Sequence, residues 1–284
     1  MPKASYEIIS FVLNGKKIGI VGLGLIGGSI EKCLLEKQAE LGLSEVKTVS
    51  KSQKREYSIH DLADCDVIFL CSEQSKIIED LDEIAKIIAK PSTDDKKPFA
   101  NALITDVAST KKKISEKAKL LGLNNFIAGH PMAGTEHEGY AASFPTLFEG
   151  STWILEEKSE RTKVLEFIIT SVLKATEIVQ LDVETHDRLV AVVSHLPMLL
   201  SFGLADLVKS YPTAEKIIGP GFKGMTRLAK GNVEMSKEIL ALNRQNIKEL
   251  WQEYSNSISF LLDTPASLLQ PELNKIKKLV ENVR

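Results

Sequence analysis

Several features that would mark a specialised protein are scarce in this chain. It has no excess of positive charge: 36 Lys and Arg face 38 Asp and Glu, for a net charge of −2. No long basic run occurs either, which argues against nucleic acid as the main partner. No apolar stretch reads as approaching the ~20 residues that span a bilayer, so no membrane partner is expected. Met1 to Asn14 lacks a charged segment followed by a long apolar core, so no secretory signal is expected. There are only three cysteines, Cys33, Cys65 and Cys71. They form an odd set without metal-like pairing, and they read as buried, reduced thiols of a cytoplasmic protein. No internal repeat or low-complexity tract is present. What remains is ordinary globular material: 284 residues, 43% hydrophobic and 26% charged. That is enough for one large or two medium domains.

The first half alternates short apolar runs with amphipathic stretches. Strands are expected at Lys17–Leu23, Val46–Ser50, Asp66–Cys71, Ala102–Val107, Phe126–Ala128 and Thr152–Leu155. Near-continuous apolar runs suit strands covered on both faces. Helices are expected between them, notably over Ser75–Lys90 and Thr110–Leu121, and Lys90–Lys97 reads as a polar surface loop. Thr162–Leu173 and Glu177–Leu181 read as one more helix and strand. This alternation predicts an α/β fold with a Rossmann-type, doubly wound parallel sheet. From Asp182 onward strand signals vanish. Val183–Lys209 reads as one long helix containing Pro197, Glu234–Leu262 as another, and Pro271–Val283 as a last. The expected division is 1–181 for dinucleotide binding and 182–284 for an all-helical domain. Its apolar stripes exceed what a small domain buries, which points to a homodimer through that half.

Gly22-Leu23-Gly24-Leu25-Ile26-Gly27 follows the first strand and opens a helix. In that context it reads as a dinucleotide-binding fingerprint. Gly22 permits the tight turn, Gly24 the close approach of a pyrophosphate, and Gly27 the packing of helix on strand. The helix N-terminus offers amide donors to phosphates. Cys71 and Ser72, ending the third strand, face the same region. NAD enzymes usually place a carboxylate at the end of the second strand to hold the ribose hydroxyls. Here the position reads Ser50-Lys51-Ser52, followed by Gln53-Lys54-Arg55, and no carboxylate appears until Glu56. Hydroxyls and cations fit a 2′-phosphate, so NADP is favoured and NAD is the alternative.

About a hundred residues beyond the fingerprint stands Gly129-His130-Pro131-Met132-Ala133-Gly134-Thr135. An apolar run delivers His130 into a loop shaped by proline and glycine. An imidazole there can take a proton where a nicotinamide takes a hydride. Further motifs are Asp106-Val107-Ala108-Ser109-Thr110-Lys111, Thr185-His186-Asp187, Ser194-His195-Leu196-Pro197 and Gly221-Phe222-Lys223-Gly224-Met225-Thr226-Arg227. Pro197 should break the helix ladder near Val193 and bend the chain there.

The order and spacing of these motifs, over roughly Lys16 to Asn246, resemble the prephenate/arogenate dehydrogenase family of tyrosine biosynthesis. The resemblance implies oxidative decarboxylation of a cyclohexadienyl substrate, with hydride passing to the nicotinamide and aromatisation driving loss of CO2. It implies His130 as the group that accepts the 4-hydroxyl proton. Ser109 is the implied hydrogen-bond partner of the same region. Arg227 would grip the ring carboxylate by a two-pronged contact. His195 would position substrate or nicotinamide. Lys111 is expected to start the helix after the fourth strand and either to meet substrate or cofactor charge or to be solvated. Glu136 could pair with a cation at the cleft mouth, and Asp187 reads as a structural hydrogen-bond partner.

Three positions depart from the family pattern: Gly224 where Asp is common, Val233 where the family has Pro, and Met198 where many members carry His. No mutase or regulatory domain is expected after the helical half. Prephenate and arogenate differ in a keto acid against an amino acid, and an acidic pocket residue would favour the second. Two other readings stand beside this one. The first is a 3-hydroxyacid or imine-type dehydrogenase of similar build, which would not use Ser109, His130 and Arg227 together. The second is a non-catalytic NADP(H) sensor, whose cleft would lack a base.

Overall fold

The computed structural model describes residues 12–90 and 98–282. The chain before residue 12, the expected surface loop beyond Lys90 and the last two residues, Val283 and Arg284, lie outside them.

Apolar, β-branched runs build a parallel sheet. Its strands are β1 (Lys17–Val21), β2 (Glu45–Val49), β3 (Val67–Leu70), β4 (Leu103–Asp106) and β5 (Phe126–Ile127), in the order β2-β1-β3-β4-β5. Period-2 alternation decides which face each side chain covers. Val67 and Phe69 pack into one core with Ile30 and Leu34 of helix α1 (Leu25–Leu41). Ile68 and Leu70 pack into the other, with Ile77, Leu81 and Ile84 of α2 (Gln74–Ala89) and Ile114 of α3 (Lys112–Leu120). The sheet is therefore doubly wound, as the alternation predicts.

The sixth expected strand does not extend this sheet. Thr152–Leu155 is the centre of a separate three-stranded sheet, β6 (Gly129–Pro131), β7 (Thr152–Leu155) and β8 (Glu177–Gln180). β6 is antiparallel to β7, with His130 opposite Ile154, and β7 is parallel to β8. His130 thus sits on a strand rather than in a loop. Pro131 needs no ladder donor on a short edge strand, which let the Gly-His-Pro sequence read as a turn. Helix α4 (Lys163–Phe167) and the π-turn Ile168–Val172 lead into β8.

Helices follow. The run Val183–Ser210 comprises α5 (Val183–Val190), a π-turn (Ala191–His195) and α6 (Leu196–Leu207). Pro197 lacks an amide hydrogen, and the wide turn just before it absorbs the missing bond. The expectation that no apolar stretch reaches bilayer length is corrected here. This run is long enough, and its mean hydropathy of 1.6 high enough, to meet that test by length and composition. Its His186, Asp187 and His195 are buried in the protein. After α7 (Pro220–Met225), the expected Glu234–Leu262 helix is two: α8 (Val233–Leu242) and α9 (Arg244–Asp263), divided at Asn243. α10 (Ala266–Asn282) closes the described chain and buries none of its residues. The helical core is small, formed by Ala191, Leu196, Met198, Ile239, Ile247 and Leu250. Trp251, Phe260, Leu262, Leu268 and Leu279 remain exposed.

Candidate active site

The sheet order reverses between β1 and β3, because β2 lies on one side of β1 and β3 on the other. Such a switch point opens a crevice at the carboxyl ends of the strands, where dinucleotides bind. The glycine fingerprint lies there, and each glycine has its own reason. Gly22 has φ +89°, and a Cβ on it would come within 2.7 Å of the Ser72 amide nitrogen. A Cβ on Gly27 would lie 2.0 Å from the Gly22 carbonyl oxygen. A Cβ on Gly24 would meet nothing within 4 Å, so its backbone is open to a ligand. Gly24 also caps α1 without any side-chain hydrogen bond, and the first turn of α1 holds no acidic residue. Orphan amides and a positive helix end are left for a pyrophosphate. The crevice therefore fits a dinucleotide.

Leu23 is buried, and Leu25 and Ile26 are half-buried, so this stretch offers backbone rather than side chains. Cys71 and Ser72 abut Gly22 and Gly27. All three thiols are held protonated by burial, Cys65 up to about 12. Beyond β2, the Ser50 and Ser52 hydroxyls lie 3.2 Å apart in a turn. Lys51 is exposed. Arg55 folds back onto α1, bonding the buried Glu31 carboxylate at 2.9 and 3.1 Å and lying over the Tyr140 ring.

The histidines form a connected cluster. His130 Nδ1 lies 2.9 Å from His186 Nε2, and His186 Nδ1 lies 2.8 Å from Asp187 Oδ1. The Asp187 carboxylate also accepts from the Lys111 amide at 2.7 Å and the Lys112 amide at 3.1 Å. Burial pushes this acid upward, but the His186 bond and the two amides outweigh it and hold it below the usual carboxylate range. A carboxylate only accepts, so His186 Nδ1 carries a proton and neutral His186 presents a lone pair at Nε2. His130 Nδ1 must then donate, which leaves the His130 Nε2 lone pair available to a ligand. Burial lowers the pKa of His130 well below normal, aided by the neighbouring His186, Lys111 and His195. His130 is thus a neutral acceptor at rest.

The strand carrying His130 is clamped. The Gly129 amide donates to Asp106 at 3.1 Å, and the Gly129 carbonyl accepts from Lys111 Nζ at 2.6 Å. Lys111 Nζ also pairs with Asp106. Lys111 does cap α3, but its ammonium is buried and turned inward. It is not solvated, because the Asp106 charge draws it inside. Burial lowers its pKa, against the pull of Asp106.

Carboxylates from the helical half cap both neighbouring helices of the sheet domain. Asp187 serves α3 as described. Glu238 of α8 accepts from the Gln74 and Ser75 amides at the start of α2, at 3.2 and 3.3 Å. Only the N-terminus of α1, among these three, has no such side-chain cap.

Other expected residues are placed less tightly. Ser109 is half-buried in the loop after β4. Arg227 is exposed on the short turn Arg227–Lys230, which is tied to α6 by the Ala229 amide on Ser201 Oγ at 2.9 Å. No hydrogen bond joins Arg227 to the histidines among the described residues. Glu136 is exposed and Gly224 is exposed, while Met198 is buried in the helical core. Instead of Glu136, Glu138 reaches across to bond Asn232. His195, 1% exposed, is held through Nδ1 by Asn243 at 3.0 Å. Sequence reasoning did not assign Asn243, Asp106 or Glu238 to the site, and it gave His186 no role. Adjacent histidine and aspartate on one helix was a usable signal for His186; a lone asparagine between two helices was none.

A glycine fingerprint at the switch point and a carboxylate-anchored pair of imidazoles are features of a dinucleotide-dependent enzyme. The family comparison agrees. The model of the prephenate dehydrogenase nucleotide-binding domain matches residues 26–180, and that of the prephenate dehydrogenase dimerization domain matches 182–279. The chain belongs to the prephenate dehydrogenase family. It is 32% identical over 246 residues to a prephenate dehydrogenase of Lactococcus lactis subsp. cremoris, covering 80% of this chain and 65% of that relative. It therefore spans just under two thirds of that relative's length. Among solved structures it resembles prephenate dehydrogenase from A. aeolicus in complex with hydroxyphenyl propionate and NAD+ (TM-score 0.74, 26% identity, 95% of this chain and 97% of that one). It also resembles Synechocystis arogenate dehydrogenase (TM-score 0.69, 25% identity, 93% and 97%).

Proposed function

We propose that this chain oxidatively decarboxylates prephenate or arogenate, passing hydride to NADP or NAD. The observation that carries this reading is the His130–His186–Asp187 chain, which leaves one imidazole nitrogen of His130 as an acceptor. The bound nicotinamide supplies the hydride acceptor. His130 Nε2 takes the proton of the substrate 4-hydroxyl. As it does so, its Nδ1–H bond to His186 strengthens, and the Asp187 carboxylate offsets the growing positive charge. The hydride leaves the carbon that bears this hydroxyl, CO2 departs as the ring becomes aromatic, and His130 returns the proton to the resulting phenolate oxygen, so the protein mainly has to orient and polarise. Ser109 contributes a hydroxyl to the 4-hydroxyl region. Arg227 closes on the ring carboxylate from its turn beside α6.

Family membership favours this reading over a 3-hydroxyacid or imine-type dehydrogenase, and the available base favours it over a sensor. Asp106 and Asp187 are both committed to internal partners, so neither is free for a substrate ammonium. That supports prephenate ahead of arogenate. Ser50, Lys51 and Ser52 support NADP ahead of NAD. The exposed apolar side chains of α9 and α10 support a homodimer through the helical half. Steady-state NAD(P)H formation tests the activity, the substrate and the cofactor, with prephenate and arogenate each crossed with NADP and NAD. Turnover with prephenate and NADP is expected to be fastest. No turnover with any pair, in protein that binds NADP, refutes the activity.

A further inference from the structure

His130 acts as the base, but what the third buried imidazole, His195, presents to a ligand is still open. Asn243 answers this. It is buried at the junction of α8 and α9, where its backbone amide donates to the Ile239 carbonyl and its own carbonyl accepts from the Ile247 amide. Its side-chain Nδ2 lies 2.6 Å from the Asp187 backbone carbonyl and 3.0 Å from His195 Nδ1. Its Oδ1 accepts from Asn246 at 2.7 Å.

A carbonyl oxygen can only accept, so the group facing Asp187 must be the amide nitrogen and not the amide oxygen. One of its hydrogens goes to Asp187 and the other to His195 Nδ1. His195 Nδ1 therefore holds a lone pair, and in the neutral ring the proton sits on Nε2. Burial keeps that ring neutral, with a pKa of about 4. Among the described residues the Nε2 proton has no hydrogen-bond acceptor. The same logic run through the Asp187 carboxylate gave His130 the opposite polarity. Asp187 thus orders both rings: its carboxylate through His186, and its backbone carbonyl through Asn243.

We propose that Asn243 is a positioning residue that fixes His195 as the Nε2–H tautomer, so that the cleft offers a hydrogen-bond donor from His195 together with the acceptor on His130. The donor takes an oxygen acceptor of a bound ligand, either a substrate carboxylate or carbonyl or the carboxamide oxygen of the nicotinamide. This rests on the dehydrogenase reading for its ligands, but the tautomer itself does not.

The test starts without turnover. Long-range 1H–15N correlation spectra of histidine-labelled full-length protein distinguish a protonated from an unprotonated ring nitrogen, and His195→Gln assigns the signals. In the wild type, His195 should show protonated Nε2 and bare Nδ1. In Asn243→Asp the new carboxylate should draw a proton to Nδ1. A wild-type Nδ1–H tautomer, or wild-type signals that Asn243→Asp leaves unchanged, overturns the proposal whether or not the enzyme turns over. Kinetics then identify the acceptor. His195→Phe should weaken one ligand about 10-fold, the scale of a lost hydrogen bond, while His195→Gln, which keeps a donor, recovers part of it. A raised KM for the cyclohexadienyl substrate identifies the substrate oxygen, and a raised Kd for the dinucleotide identifies the carboxamide. If neither constant moves in folded His195→Phe, the donor role is wrong. Should Asn243→Asp not fold, the wild-type spectrum alone still decides the tautomer.

Discussion

Asp187→Asn is the substitution that separates a working relay from a decorative one. The carboxylate accepts from His186 Nδ1 at 2.8 Å, from the Lys111 amide at 2.7 Å and from the Lys112 amide at 3.1 Å. Hydrogen bonds to a charged partner contribute about 1.5–3 kcal/mol each. Asparagine keeps one acceptor oxygen and turns an NH2 toward the other donors. The variant should lose about 3 kcal/mol of stability, visible as a lowering of Tm by roughly 5–10 °C. The catalytic effect is separable and larger. If the new NH2 faces His186 Nδ1, that nitrogen must become the acceptor and the proton moves to His186 Nε2. His130 Nδ1 then accepts, and His130 faces the substrate as a donor instead of a base. General-base catalysis contributes about 10²–10⁴-fold, so kcat should fall within that range. Dinucleotide binding, governed by the fingerprint, should hardly change. The assay is steady-state turnover at a temperature where calorimetry finds the variant folded. The double variant with His130→Asn should be no slower than His130→Asn alone, because the residues act as a unit. A folded Asp187→Asn protein with kcat within about 3-fold of wild type defeats the relay, since general-base catalysis typically contributes about 10²-fold or more.

Other outcomes follow from the same geometry. Gly24→Ala places its methyl in open space, so Tm should hold while dinucleotide affinity, read by fluorescence titration, drops at least about 10-fold. Gly27→Ala, with its Cβ 2.0 Å from the Gly22 oxygen, should instead fail in thermal stability. Acid should destabilise the protein through its histidines. His195 falls from 6.5 in the unfolded chain to about 4 when folded, and His130 and His186 shift in the same direction. A depressed folded pKa means the unfolded state takes up protons first, so stability is intact above pH 6.5 and is lost as pH falls toward 4. The His195 share is about 3 kcal/mol. Urea unfolding at pH 7 and pH 4.5 checks it, and stability that rises on acidification contradicts it. Glu238→Gln should weaken the cap on α2 and speed amide exchange at Gln74 and Ser75 with little change elsewhere.

Much of this was legible in the sequence, and the exceptions have physical reasons. Runs such as Val67-Ile68-Phe69-Leu70 are apolar on both faces, and only a sheet covered on both sides uses such strands. The glycine fingerprint was readable because Gly22 and Gly27 answer backbone demands that no other residue meets, while Gly24 leaves its backbone open to a ligand. The second sheet was not readable: β6 is three residues long and contains Pro131, so local preference says turn while pairing with β7 says strand. The break at Asn243 was hidden because Ile239, Ile247 and Leu250 keep a helical rhythm across it. Lys111 misled for a different reason. A lysine is soluble by habit, and only the buried Asp106 five positions earlier, brought against it by the turn after β4, draws it inward. Tautomers were beyond reach, since they depend on partners such as Asn243 and His195 that lie 48 residues apart in sequence.

The measurement that bears most directly on the central claim is His130→Asn examined for binding and turnover together. The account predicts that the variant binds NADP and a hydroxyphenyl product analogue within about 3-fold of wild type while kcat falls by about 10²-fold or more. Turnover that survives the substitution, with binding intact, would contradict it.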